Sequence, residues 1–283
     1  MQATDTESPE FEFVKQLALD LASDKVNLPS FPAVVIKIRD LLEDEECNIA
    51  QVSKIVSVDA VLVSKLFVFA NSSYHNRSGE NVTSLEVAMS RLGLELVRNT
   101  ALSLAVKQLM LSEKHKSIVA DVRMIWSTSM RLAALSFAIA EKSGRVDEET
   151  AFMCGLLHQI GKLYILTRAK EYPEFLGDKA SLQDVQDQWS AQIGRSIVEA
   201  WGFPPPVFQS LDPNEYRDER PQRQPAPVDV IFAAVGLVSK EESTWPELMQ
   251  DPVWQKLHLD ENDAPAIASG YREKLATIQQ SLA

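Results

Sequence analysis

Cysteine is scarce in this sequence: two residues in 283, Cys47 and Cys154. Their surroundings, EECNIA and FMCGLL, do not form the spaced framework of a disulfide-stapled secreted domain, so two reduced thiols are expected. Long apolar runs are missing too. The longest, Leu132–Ala140 and Ile231–Val238, fall short of the roughly 20 residues that cross a bilayer. The opening MQATDTESPEFEF carries neither a basic nor an apolar stretch, so no secretory signal is read there. Positive charge is in deficit, with 28 Lys and Arg against 40 Asp and Glu, a net of −12. Nucleic-acid binders carry a basic footprint and anionic membranes attract basic segments, so neither is an expected partner. Glycine (10) and proline (14) are too few for a disordered or collagen-like chain. The expectation is a cytoplasmic, soluble protein, and its 45% hydrophobic content is enough for a substantial core.

The apolar residues recur with helical spacing. Val14, Leu17, Ala18 and Leu21 share one face. A second helix is expected from Pro32 to Asp44 and a third over Ile49–Ser57. Asp59 reads as the N-cap of a fourth that runs to Ala70. Residues 71–81 are polar and read as a loop. Thr83 is expected to cap the next helix, with Glu86 as its capping-box partner, and Gly93 to interrupt it. Longer helices follow over His115–Ser143, Asp147–Leu157, the stretch from His158 to Ala169, and Ser181–Trp201. Period-two alternation is absent, so the fold class is all-α, a multi-helix bundle. Residues 212–227 (DPNEYRDERPQRQPAP) are rich in proline and charge and read as a linker or surface excursion. Val228–Ser239 is too apolar to stand alone, so the tail is expected to complete the same core.

Of the four histidines, His75, His115 and His258 lie in polar settings and read as surface or structural residues. His158 differs. It lies in Phe152-Met-Cys-Gly-Leu-Leu-His-Gln-Ile-Gly-Lys-Leu, where an apolar helix ends on an imidazole. This string resembles the signature of the HD superfamily of metal-dependent phosphohydrolases, G-L-L-H-D-I-G-K. There the imidazole and the adjacent carboxylate bind divalent metal, which activates water against a phosphoester. Here Gln159 stands in place of the Asp, and a neutral amide is a poor substitute for a bridging carboxylate.

The other ligand positions that the resemblance implies are altered as well. Thr128, in Trp126-Ser-Thr-Ser, falls where W-x-H-S has its His. Ser190, in Trp189-Ser-Ala-Gln-Ile-Gly ahead of Trp201-Gly-Phe-Pro, falls at another His position. Val235, in Ala234-Val-Gly-Leu, falls at the last Asp. Only His158 keeps its type, and catalytic metal sites generally use three or more protein ligands. Gly161 reads as a point that lets the chain bend. Trp126, Trp189 and Trp201 read as core residues.

The N-terminal half adds an independent resemblance. Leu28-Pro-Ser-Phe-Pro, then Ile55-Val-Ser-Val-Asp-Ala-Val-Leu-Val-Ser-Lys-Leu, then Ala70-Asn-Ser-Ser-Tyr, then Ser84-Leu-Glu-Val-Ala-Met-Ser-Arg-Leu-Gly are similar, in order and spacing, to the opening of the HDOD family. The resemblance implies an N-terminal extension (1–27), an HDOD helical subdomain (28–112), an HD-like helical subdomain (113–240) and a helical tail (241–283).

It also implies a bacterial signal-transduction module on a degenerate HD scaffold. Such a module would be non-catalytic, would bind a protein partner or a small nucleotide-like ligand, and would need no cofactor. Asp59, Lys65 and Asn71 are candidates for a ligand or partner contact; the alternative for Asn71 is simple helix termination. The competing reading is a metal-dependent phosphohydrolase or phosphodiesterase with an atypical divalent-metal site. It would draw carboxylates from elsewhere, such as Glu148 or Glu149. A third reading, a nucleotide sensor without hydrolysis, has no Gly-rich phosphate loop behind it.

Overall fold

The computed structural model describes residues 9–22, 37, 41, 48–71, 76, 80, 82, 84–110, 118–217 and 223–282. Among these there is no strand, and the chain is an all-α bundle. Of the helix expected over residues 32–44 only Lys37 and Leu41 are described, both helical; His75, His115 and Cys47 lie outside the described residues.

The first helices begin where local chemistry supplies partners for free backbone N–H groups. After α1 (Pro9–Ala22) comes α2 (Ile49–Val56), which opens with a reciprocal capping box. The Gln51 N–H donates to Asn48 Oδ1 (3.1 Å) and the Asn48 N–H donates to Gln51 Oε1 (3.0 Å). Asp59 caps α3 (Ala60–Ala70) as its sequence suggests, its Oδ1 accepting from the N–H groups of Val61 and Leu62, both at 3.0 Å. The next helix, α4 (Leu85–Leu92), departs from expectation. Ser84, not Thr83, occupies the cap position, and no side-chain capping bond forms. Gly93, at φ +82°, then separates α4 from α5 (Leu94–Met110).

The centre of the molecule is α6 (Val119–Ser143), stopped by Gly144 in the left-handed region (φ +59°). Every residue from Leu132 to Ser136 is buried, so the helix is enclosed on all sides. Around it pack α5, α7 (Glu148–Leu157), α13 (Pro227–Val238) and α16 (Ala264–Leu282). Gly155 brings α7 close to α6, since a Cβ there would sit 2.6 Å from the Leu132 carbonyl oxygen. A second layer pairs α8 (Ile160–Ala169) with α10 (Lys179–Ala200); the short α9 (Pro173–Gly177) lies between them in sequence.

One apolar cluster runs from Phe13 to Ile278 and takes in side chains from the segments 28–112, 113–240 and 241–283 alike. The tail therefore completes the common core, as its apolar content demanded. Trp126 and Trp201 are buried and Trp189 is half-buried against the same cluster. The proline-rich stretch is partly structural. Its first residues form α12 (Pro213–Tyr216), which packs on α13 with α11 (Pro205–Gln209) alongside, and Asp212 is buried.

Beyond α13, the short helices α14 (Trp245–Leu248) and α15 (Pro252–Lys256) close the bundle. A buried ion pair holds α15 to α13. Lys256 Nζ lies 2.8 and 2.9 Å from the Asp229 carboxylate oxygens, both side chains under 5% exposed. Asp229 also accepts the Ala226 N–H at 2.9 Å. The pair is fully satisfied, as a buried pair must be.

Candidate functional site

His158 is the C-cap residue of α7, and Gln159 is the residue from which α8 starts. The break between the two helices follows from this arrangement. Gly161 does not bend the chain: it lies inside α8 without a positive φ. Its function is close approach. A Cβ on Gly161 would lie 1.9 Å from the Ser190 carbonyl oxygen and 2.9 Å from the Gly194 nitrogen. The bare backbone at 161 therefore lets α10 seat directly on α8, and this contact brings Ser190 beside His158. Gln186 reinforces it by donating from Nε2 to the Lys162 carbonyl oxygen at 3.4 Å.

The result is a cavity of about 500 Å³ walled by α8, α10, α12, α13, α14 and α15, with His158 at the α7–α8 break. Volumes of this size are typical of small-molecule sites. His158, Gln159, Ser190 and Val235 all line it, so the fold gathers four of the five ligand positions, the retained His158 and three altered ones, around one space. Thr128 is not among the lining residues. Its hydroxyl donates to the Met124 carbonyl oxygen of its own helix at 3.0 Å.

His158 as a residue is half-buried, yet its Nδ1 is shut off from solvent and has no hydrogen-bond partner. Burial, and then the positive charge of Lys162, lower the imidazole from its ordinary value to about 4. The ring is therefore neutral at pH 7.

Lys162 is held by Asp187 at 3.1 Å. Burial alone would raise the Asp187 carboxyl, but hydrogen bonds from Gln183 and Lys162 outweigh it and the group is lowered. On the opposite wall Asp251 accepts the Val253 N–H at 2.9 Å and faces Arg217 Nη1 at 3.6 Å. The Arg217 guanidinium lies over the Phe232 ring, 3.6 Å from its centroid.

This donor set does not suit a divalent metal. It offers one imidazole, two amides and one hydroxyl, while the two lining carboxylates are engaged with cations or a helix cap. Among the described residues no three His, Cys, Asp or Glu side chains are grouped so as to hold a metal ion. Glu148 and Glu149 do not serve either. They begin the ten-residue α7 that His158 ends, about 14 Å away along the helix axis. Asp229, the buried carboxylate of α13, is committed to Lys256.

Cys154 is a free thiol in the core, and burial pushes it up to about 12. His258 is exposed, consistent with a surface histidine, and adopts a left-handed backbone (φ +59°).

Asp59, Lys65 and Asn71 lie away from the cavity, on α3 and its two caps. Asn71 has both ends of its amide engaged by Val82. Its Oδ1 accepts the Val82 N–H at 2.6 Å and its Nδ2 donates to the Val82 carbonyl at 3.2 Å, tying residue 71 to residue 82.

Sequence reasoning passed over Lys162, Asp187, Asn214 and Asp251. Lys162 stands in the motif itself, and Asp187 precedes Ser190 by three residues, hence shares its helix face. No local signal marks Asn214 or Asp251.

A family model of the HDOD domain matches residues 28–214. A curated relative, an uncharacterized protein of Treponema pallidum (strain Nichols), is 24% identical over 211 residues; the match takes in 69% of this chain and 39% of that protein's length. Among solved structures, a proposed metal-dependent phosphohydrolase from Shewanella amazonensis SB2B superposes with a TM-score of 0.77 at 22% identity, covering 95% of this chain and 99% of the other. An HDOD domain protein with unknown function from Geobacter sulfurreducens gives 0.70 at 20% identity, covering 98% and 99%. A proposed signal transduction protein from Marinobacter aquaeolei VT8 gives 0.64 at 18%, covering 98% and 67%. At these identities the structures share the fold, and the family model spans most of the chain: this protein belongs to the HDOD domain family.

Proposed function

We propose that this chain is a non-catalytic, cytoplasmic signalling module of bacterial type, which binds a small ligand or a protein partner on a degenerate HD scaffold and needs no cofactor. One observation carries the reading. Gln159, Ser190 and Val235 stand around the same cavity as His158, so the ancestral chemistry has been replaced within an intact space. The space is retained, which favours binding; the charged ligands are not, which disfavours metal-activated hydrolysis. A fold neighbour described as a signal transduction protein accords with this. No helix among the described residues is long and apolar enough to cross a membrane.

The competing reading draws on the Shewanella neighbour, described as a proposed metal-dependent phosphohydrolase. Two measurements decide between them: metal content of protein purified without chelator or metal-affinity tag, and phosphodiesterase activity with manganese added. The expected results are substoichiometric metal and turnover at background. Stoichiometric metal, with turnover that disappears in His158→Ala, would overturn the proposal.

A further inference from the structure

The cavity contains an unusual balance of groups. Its charged lining consists of Lys162, Asp187 and Asp251. Lys162 is neutralised by Asp187 at 3.1 Å. Asp251 is likewise paired, with Arg217 at 3.6 Å, whose guanidinium lies over the Phe232 ring, so the lining carries no surplus charge of either sign. An entering phosphate would meet no uncommitted cation in the lining to balance its charge, an arrangement that disfavours it.

The remaining polar groups are His158, Gln159, Ser190 and Asn214, a set of neutral donors and acceptors. The lip is apolar. Val235 and Leu248 both line the cavity and yet are 40% and 38% exposed, surface that an apolar ligand body would cover.

We infer that the cavity binds an uncharged small molecule that has an apolar body and an edge of mixed hydrogen-bond donors and acceptors, the chemistry of a nucleoside without its phosphate. This assignment rests on the reading of the chain as a non-catalytic binding module, and it narrows the ligand from nucleotide-like to neutral.

The test is calorimetric titration of the full chain with the four common ribonucleosides and, separately, with their 5′-monophosphates. At least one nucleoside should bind, and about tenfold or more tightly than its monophosphate, a difference set by the desolvation of a phosphate that finds no free counter-charge. Gln159→Leu should weaken that binding by about tenfold to a hundredfold, the range for a buried polar partner left unmet. Val235→Trp fills the cavity from its exposed lip, so it should abolish binding while the thermal midpoint stays at the parent value.

Monophosphates that bind as tightly as the nucleosides, no binding by any nucleoside, or binding that survives Val235→Trp would each overturn the assignment. If the protein is metal-free and inactive in that event, the non-catalytic reading stands and only the ligand class falls. Stoichiometric metal with turnover would remove both.

Discussion

Gly161→Ala adds a single carbon at the tightest helix–helix contact in the molecule's second layer. The new Cβ would lie 1.9 Å from the Ser190 carbonyl oxygen and 2.9 Å from the Gly194 nitrogen, whereas ordinary contact begins near 3.4 Å. Both obstacles are backbone, so no side chain can swing aside. The helices α8 and α10 must separate by about 1.5 Å or the carbonyl must tilt out of its own helix. Overpacking costs of this kind run to ~3 kcal/mol when the surroundings are rigid. Alanine returns roughly 1 kcal/mol through its better helix propensity. The net loss is about 2 kcal/mol, which for a chain of this size lowers Tm by roughly 3–4 °C.

Gly236→Ala is the control. It is a helical glycine in α13 with nothing within 4 Å of the added carbon, so propensity acts alone and Tm should rise slightly. Thermal unfolding followed by far-UV circular dichroism measures both. A Gly161→Ala protein as stable as the parent, or more stable in step with the control, would refute the close-approach argument.

The buried pair between Asp229 and Lys256 predicts that Lys256→Met, which strands a carboxylate, costs about 3–5 kcal/mol; adding Asp229→Asn, which keeps an acceptor for the Ala226 N–H, should recover at least half of the loss in urea midpoint. The lowered His158 predicts acid sensitivity. The unfolded chain takes up a proton below about pH 6.5, whereas the folded chain resists until about pH 4. His158 therefore contributes fully above pH 6.5, and that contribution is lost as pH falls toward 4, by about 3 kcal/mol at most. Urea unfolding at steps from pH 7.5 to 4.5 should show a steeper decline for the parent than for His158→Leu, and parallel profiles would contradict the assignment. Asn71→Ala leaves the buried Val82 without its amide partner, so a loss of about 2 kcal/mol is expected. Hydrogen exchange at the Val82 amide, slow in the parent and fast in the variant, locates the effect.

Much of the fold was legible in the sequence because helices are decided locally. Asp59 before an apolar run, Gly93 at a helix junction and Gly144 after the longest helix mark boundaries through capping and backbone freedom, and each is used as read. Ser84 in place of Thr83 shows where such reading fails, since adjacent hydroxyl residues offer equal chemistry and the surrounding contacts choose. His158 was legible because a short motif fixes it at a helix end. Its pairing with Ser190 and Val235 required the resemblance, because nothing local relates residues so far apart along the chain.

Tertiary structure alone decided the rest. The bare backbone of Gly161 acquires its meaning only from α10 seated against it. Asn214 and Asp251 come from segments with no periodic signal, and reach the cavity only because α12 and α15 pack on α13. The spacing of apolar residues determined that the chain would be helical, and composition that it would be acidic. The charge balance inside one cavity depends on which few of its 40 acidic residues the packing turns inward, and distance in space, not order in sequence, sets that.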